Sequence, residues 1–175
     1  MNINFLSGLG LLLWLVPALV WGGEQGRGQV DFNGEIMEVP CSIDTASLDQ
    51  TIDYGVVSAR SMQPLRKAFE IKLVDCQLAS QVKPGYFYRK ANITFYGQPA
   101  AEDPTALSVS GKAKGLTIKL LDQNQQHIML GATHHDYELV NGDNQIRFFT
   151  ELNISQQRRE AGEFQALLQF IVSYL

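Results

Sequence analysis

The sequence predicts an all-β protein built as a sandwich of short strands. Three observations carry that expectation. Apolar and polar residues alternate in one segment after another, turn-forming clusters separate those segments, and no long stretch keeps helical spacing with helix caps.

Taken in order, the first element is GQVDFNGEIMEVPCSI, residues 28–43. Val30, Phe32, Gly34 and Ile36 fall on every second position, with Asp31, Asn33 and Glu35 between them. A strand sends alternate side chains to opposite faces, so this segment has one apolar and one wet face. Alone it cannot bury the apolar face, so it must lie in a sheet. The alternation next reaches Glu38, which ends the apolar face at Ile36. Further strands are expected over residues 51–57, 69–74, 92–96, 116–121, 145–152 and 164–174. The clearest alternation is Phe69-Glu70-Ile71-Lys72-Leu73 and Leu116-Thr117-Ile118-Lys119-Leu120. Lys83-Pro84-Gly85, Gly97-Gln98-Pro99, Asp122-Gln123-Asn124 and Asn141-Gly142-Asp143-Asn144 supply turns. A short helical turn fits residues 59–66. In the last segment Ala166, Leu168, Phe170, Val172 and Tyr174 share a face, while Leu167 and Ile171 on the other face are also apolar. That strand reads as covered on both sides.

The N-terminus sets the compartment. Residues 5–21 form an apolar run too short and irregular to span a membrane, and Val20 and Gly22 suit a signal-peptidase site. Residues 1–22 are expected to be a signal peptide, although residues 2–5 lack the usual Lys or Arg. The formal net charge of −4, with no clustered basic face, argues against nucleic acid as a partner. Of the two cysteines, Cys41 and Cys76, both follow the signal, and an even pair in an oxidising compartment is most simply one disulfide. Such a bridge would contribute roughly 3–4 kcal/mol on the chain-entropy estimate. Redox and metal pairs use much closer spacing.

No set of residues composes a catalytic or metal site. Adjacent His134 and His135, with His127, lack a completing Cys or carboxylate. Glu102 and Asp103 precede Pro104 as a turn, and Ser108 and Ser110 sit outside any nucleophile-elbow pattern. Lys112-Ala113-Lys114-Gly115 lacks phosphate-loop spacing, and Gln156-Gln157-Arg158-Arg159-Glu160 reads as a solvated connection. No cofactor is expected, and no enzymatic activity.

Both ends of the chain resemble the pilin subunits of chaperone–usher fimbriae. GQVDFNGEIMEVPCSI is similar to the pilin pattern of alternating apolar residues around a glycine before the first cysteine. FEIKLVDC, residues 69–76, is similar to the strand that delivers the second. Gly162 and the penultimate Tyr174 stand where the family's C-terminal motif has them. The resemblance implies an incomplete immunoglobulin-like sandwich that lacks its final strand, with residues 23–40 as a donor-strand extension and 41–175 as the pilin domain. It implies that Val30, Phe32, Gly34 and Ile36 insert into a neighbouring pilin. It further implies that Phe170, Val172 and Tyr174 line a groove filled first by a periplasmic chaperone, with Leu175 anchored through its carboxylate. An outer-membrane usher and neighbouring subunits complete the expected partners, and the fimbrium on the bacterial surface is the expected location. Residues 108–122 and 159–175 are especially similar to the minor subunit that terminates P pili at the base. The rival expectation is a self-contained secreted immunoglobulin-like domain that binds carbohydrate or protein, with residues 28–37 folded into its own groove.

Overall fold

The computed structural model describes residues 28–35, 37–61, 63–133 and 136–175. The chain divides into two units, Met1–Glu35 and Ile36–Leu175. Of the first, the described residues 28–35 form no strand. The expected signal segment lies outside the described residues, as do Ile36, His134 and His135.

In the second unit two long strands, β2 (Leu65–Cys76) and β9 (Gly142–Ile154), run antiparallel down the middle of the larger sheet. β1 (Ser42–Ile43) flanks β2, while β6 (Leu116–Leu121) and then β4 (Leu107–Ser108) extend the sheet beyond β9. β7 (His127–Ile128) folds back on β6. The facing sheet has the order β11 (Leu168–Tyr174), β3 (Lys90–Gly97), β8 (Asp136–Glu138). A separate ladder joins β5 (Ser110–Gly111) to β10 (Phe164–Gln165).

The alternation in the sequence decides which residues meet. On β2 the inward Phe69 and Ile71 lie opposite Phe148 and Ile146 of β9, while the outward Glu70 lies opposite Arg147. That outward pair closes as an ion pair of 2.6 Å, and Gln145 also donates to Glu70. Between the sheets Phe95 meets Phe148 edge-on at 5.0 Å between ring centres, and Phe148 stacks on Phe69 at 5.4 Å. Phe95, Phe148, Ile71, Leu73 and Leu120 are fully buried. The β2–β9 register slips between Leu73 and Cys76, where Asp75 takes a φ of 54°, the geometry of a bulge.

Several expectations need correction. Residues 51–57 form no ladder: Gly55 turns at a φ of 64° and its N–H donates to Asp53 Oδ1 at 2.7 Å, which breaks the extended run. The opening strand is reduced within this chain to Ser42–Ile43, because its amphipathic part has no sheet to join among the described residues. Residues 58–61 make a turn closed by Ser61 N to Ser58 O at 2.9 Å. The helix is instead α1 (Thr45–Leu48), capped by Asp44, which accepts from Ala46 N at 3.1 Å. Finally, the strand expected over 164–174 breaks after β10, and its two parts join different partners.

Candidate functional site: an open edge beside the last strand

Among the described residues, β11 has a partner on one side only. Its residues pair with β3 without interruption, from Leu168 opposite Gly97 to Tyr174 opposite Ala91. Phe170 therefore lies opposite Phe95 and Val172 opposite Ile93. Neighbours so placed share a face, yet their burial differs. Phe95 and Ile93 are 0% and 1% exposed, whereas Leu168, Phe170, Val172 and Tyr174 are only half-buried, though packed against the same core. Side chains of one layer differ in this way when β3 has cover on both flanks and β11 lacks it on its outer flank. The reading of β11 as covered on both sides is thus overturned. Ile171, on its outer face, is 55% exposed, and Leu167 just before it is 74% exposed.

The segment 41–57 forms the other bank of this opening. Two contacts fix its course. The Tyr174 hydroxyl donates to Cys41 O at 3.2 Å, and the Tyr54 ring lies 6.0 Å from that of Phe164. As the chain advances from Cys41 to Tyr54 on one bank, it therefore retreats from Tyr174 to Phe164 on the other. Ile43, Tyr54 and Val57 pack on the core from this bank and are likewise half-buried. We call the strip between these two rows of half-buried apolar side chains the channel.

Each bank is held from behind. The first is tied to β2 by the Cys41–Cys76 disulfide and by Gln77 N donating to Pro40 O at 2.7 Å. Past β1, α1 would leave the β2 backbone unpaired, and side chains take over the ladder's role. Lys72 N donates to Ser47 Oγ at 3.0 Å, and Gln50 Nε2 donates to Glu70 O at 2.8 Å. Tyr54 reaches under the sheet to donate to Thr150 Oγ1 at 2.6 Å, and its burial raises its pKa above the ordinary tyrosine value. Burial does the same to Tyr174. On the second bank, Leu175 O accepts from Arg89 N at 2.8 Å and from Lys90 N at 3.2 Å.

Gly162 marks a close backbone crossing. A Cβ there would stand 2.7 Å from Lys112 Cβ and 2.8 Å from Ala113 N. Around it Ala113 N donates to Glu163 O, and Lys114 and Glu160 exchange backbone bonds. Segments 108–122 and 159–175, singled out in the sequence, are thus joined to each other by this crossing and by the β5–β10 ladder.

Of the expected donor face, Val30 and Phe32 are 73% and 92% exposed, and a Cβ on Gly34 would meet nothing. The remaining member, Ile36, lies outside the described residues. The sequence reading missed Tyr54, whose alternation with Ile52 was visible, and Glu38, which was set aside as polar. Glu38 accepts from Ser80 Oγ and from Gln81 N, each at 2.6 Å. The Ser80 hydroxyl first, then the Gln81 amide, hold its carboxyl below the usual range. Glu102 and Asp103 are separately engaged, with Arg158 at 2.7 Å and Lys119 at 3.0 Å.

Comparisons with known proteins place the fold and the family. A family model described as fimbrial protein matches residues 30–175. The Fimbria A protein of Serratia marcescens is 29% identical, with 99% of each chain covered. The PRS fimbrial major pilin protein of Escherichia coli is 34% identical over 86% of this chain and 96% of its own. The crystal structure of the P pilus rod subunit PapA superposes with a TM-score of 0.70 at 22% identity, over 78% of this chain and all of that one. The two chains share a fold. The chain belongs to the fimbrial protein family and is an exported subunit of a surface fimbria.

Proposed function

We propose that this subunit assembles by exchange of strands: it lends residues 30–36 to one neighbour and receives a strand from another between segment 41–57 and β11. The observation that carries the reading is the contrast between β3 and β11, whose facing residues are buried on one strand and half-exposed on the other. An edge that pairs on one side leaves backbone donors and acceptors free on the other, and a strand of alternating apolar residues satisfies both needs at once. The backbone bonds give generic affinity. Val30, Phe32 and Ile36 give register, each side chain contributing roughly 1.5–3 kcal/mol when fully buried. Gly34 suits a point where the receiving groove leaves no room for a side chain.

A periplasmic chaperone that fills the groove during export, and an outer-membrane usher that releases the subunit into the fibre, are the partners this mechanism requires. The protein works by assembly, without turnover, and contributes to adhesion through the fibre. The test is export of the chain with and without its chaperone. Co-export should raise the yield of soluble subunit sharply, and without it the chain should aggregate or be degraded. A stable monodisperse monomer made alone, with residues 28–37 in its own groove, would overturn the proposal in favour of a self-contained binding domain.

A narrower role as a minor, base-terminating subunit is supported by the likeness of segments 108–122 and 159–175 to such subunits. A donor-strand peptide added to the chaperone complex decides it. A terminator retains its chaperone, whereas a shaft subunit exchanges it for the peptide.

A further inference from the structure

We infer that the hairpin over residues 78–88, clamped to the chain by Glu38, is a seat against which the subunit receiving the donor strand docks. The inference rests on the strand-exchange reading above and adds a second contact to it.

The hairpin is built by backbone bonds from Tyr88 N to Leu78 O at 2.8 Å and from Ser80 N to Tyr86 O at 2.9 Å, with Ala79 bridged to Phe87. Glu38 bonds to its rim through Ser80 Oγ and Gln81 N, and the Tyr88 hydroxyl reaches the same carboxylate. Ser80 Oγ in turn accepts from Lys83 N at 2.9 Å, so the clamp also organises the tip. With Pro40 O held by Gln77 N, the root of the extension is fixed at residues 38 and 40.

Chain length then fixes the neighbour's position. One residue, Met37, separates Ile36 from Glu38. An extended chain advances at most about 3.6 Å per residue, so the receiving groove must end within about 7 Å of the clamp. A pilin cannot take up Ile36 without bringing its groove rim to this hairpin. The surface that waits there carries apolar side chains: Met37, Val39 and Val82 are each more than half exposed, and Tyr86, packed on Tyr88, is 41% exposed beneath the Lys83 ammonium. Isolated exposed apolar residues need no explanation, but a group of them around an anchored tether does. The occupant is the acceptor pilin, because Met37 alone separates the last inserted residue from the clamp.

The test uses the full chain co-purified with its chaperone, before and after its strand is taken up by the acceptor subunit recovered from fibres. Resistance of the pair to unheated detergent gels reports strand insertion alone. Amide exchange over residues 78–88 reports the seat, and should slow by about tenfold or more on insertion. Glu38→Ala and Val82→Ser should form the detergent-resistant pair at the wild-type level, yet lose that protection and broaden the angle between subunits in small-angle scattering. Glu38→Gln, which keeps one acceptor, should fall between. A resistant pair with unchanged exchange over 78–88 overturns the seat while leaving strand exchange intact. Failure of the wild type to form any resistant pair overturns both.

Discussion

Tyr174 uses its two ends differently: the ring faces the core beside β3, and the hydroxyl crosses to the opposite bank at Cys41. Tyr174→Phe should keep the ring packing and lose one hydrogen bond, a cost of about 1 kcal/mol by urea titration of the strand-filled subunit. Gly162→Ala places a methyl group against the Lys112–Ala113 backbone and should cost about 1–3 kcal/mol in the same measurement. Asp103 gives a pH signature. The Thr105 hydroxyl, then the Lys119 ammonium, lower its pKa from 3.8 to about 2. Its folded value lies below its unfolded one, so its stabilising contribution is complete above pH 3.8 and disappears as the pH falls through about 2. Asp103→Asn should therefore be slightly less stable than the parent at pH 7, and the two should converge in melts near pH 2.

At the scale of elements, the proposed strand exchange predicts that donor and acceptor surfaces are separable. Val172→Asp puts a charge in the half-buried layer of β11 and should abolish capture of an incoming strand. Phe32→Asp, on a side chain outside every described sheet, should leave capture intact and abolish donation. Mixing the two variants checks this, because the first can still donate to the second. The sequence exposed the strands of six residues or more. β6 has the expected bounds, and β2, β3 and β9 lengthen the expected segments by a few residues at their ends. Two-residue ladders such as β5 and β10 left no periodic signal, since their pairing is dictated by the close crossing at Gly162. Segment 51–57 misled for the opposite reason. Its alternation is genuine and faces the channel, but Gly55 and Asp53 turn it away from any ladder within the chain. The openness of β11 was hidden because apolar residues on both faces look the same whether the strand is enclosed or awaiting cover.

For the molecule as a whole, the disulfide joins the first bank of the channel to the central strand β2. Replacing Cys41 and Cys76 with Ala should lower stability by roughly 3–4 kcal/mol, read from denaturant midpoints of the strand-filled form. The larger consequence lies in the unbroken register of β11 on β3, seven consecutive pairs. That ladder templates one wall of the channel before anything enters it. In the proposed exchange the ordering entropy of association, about 1–2 kcal/mol for each backbone residue fixed, would therefore fall almost wholly on the arriving strand. A receptor prepared in advance gains affinity by what it does not have to rearrange. In the proposed exchange a seated strand would leave only by giving up its whole ladder, which would make the junction kinetically persistent.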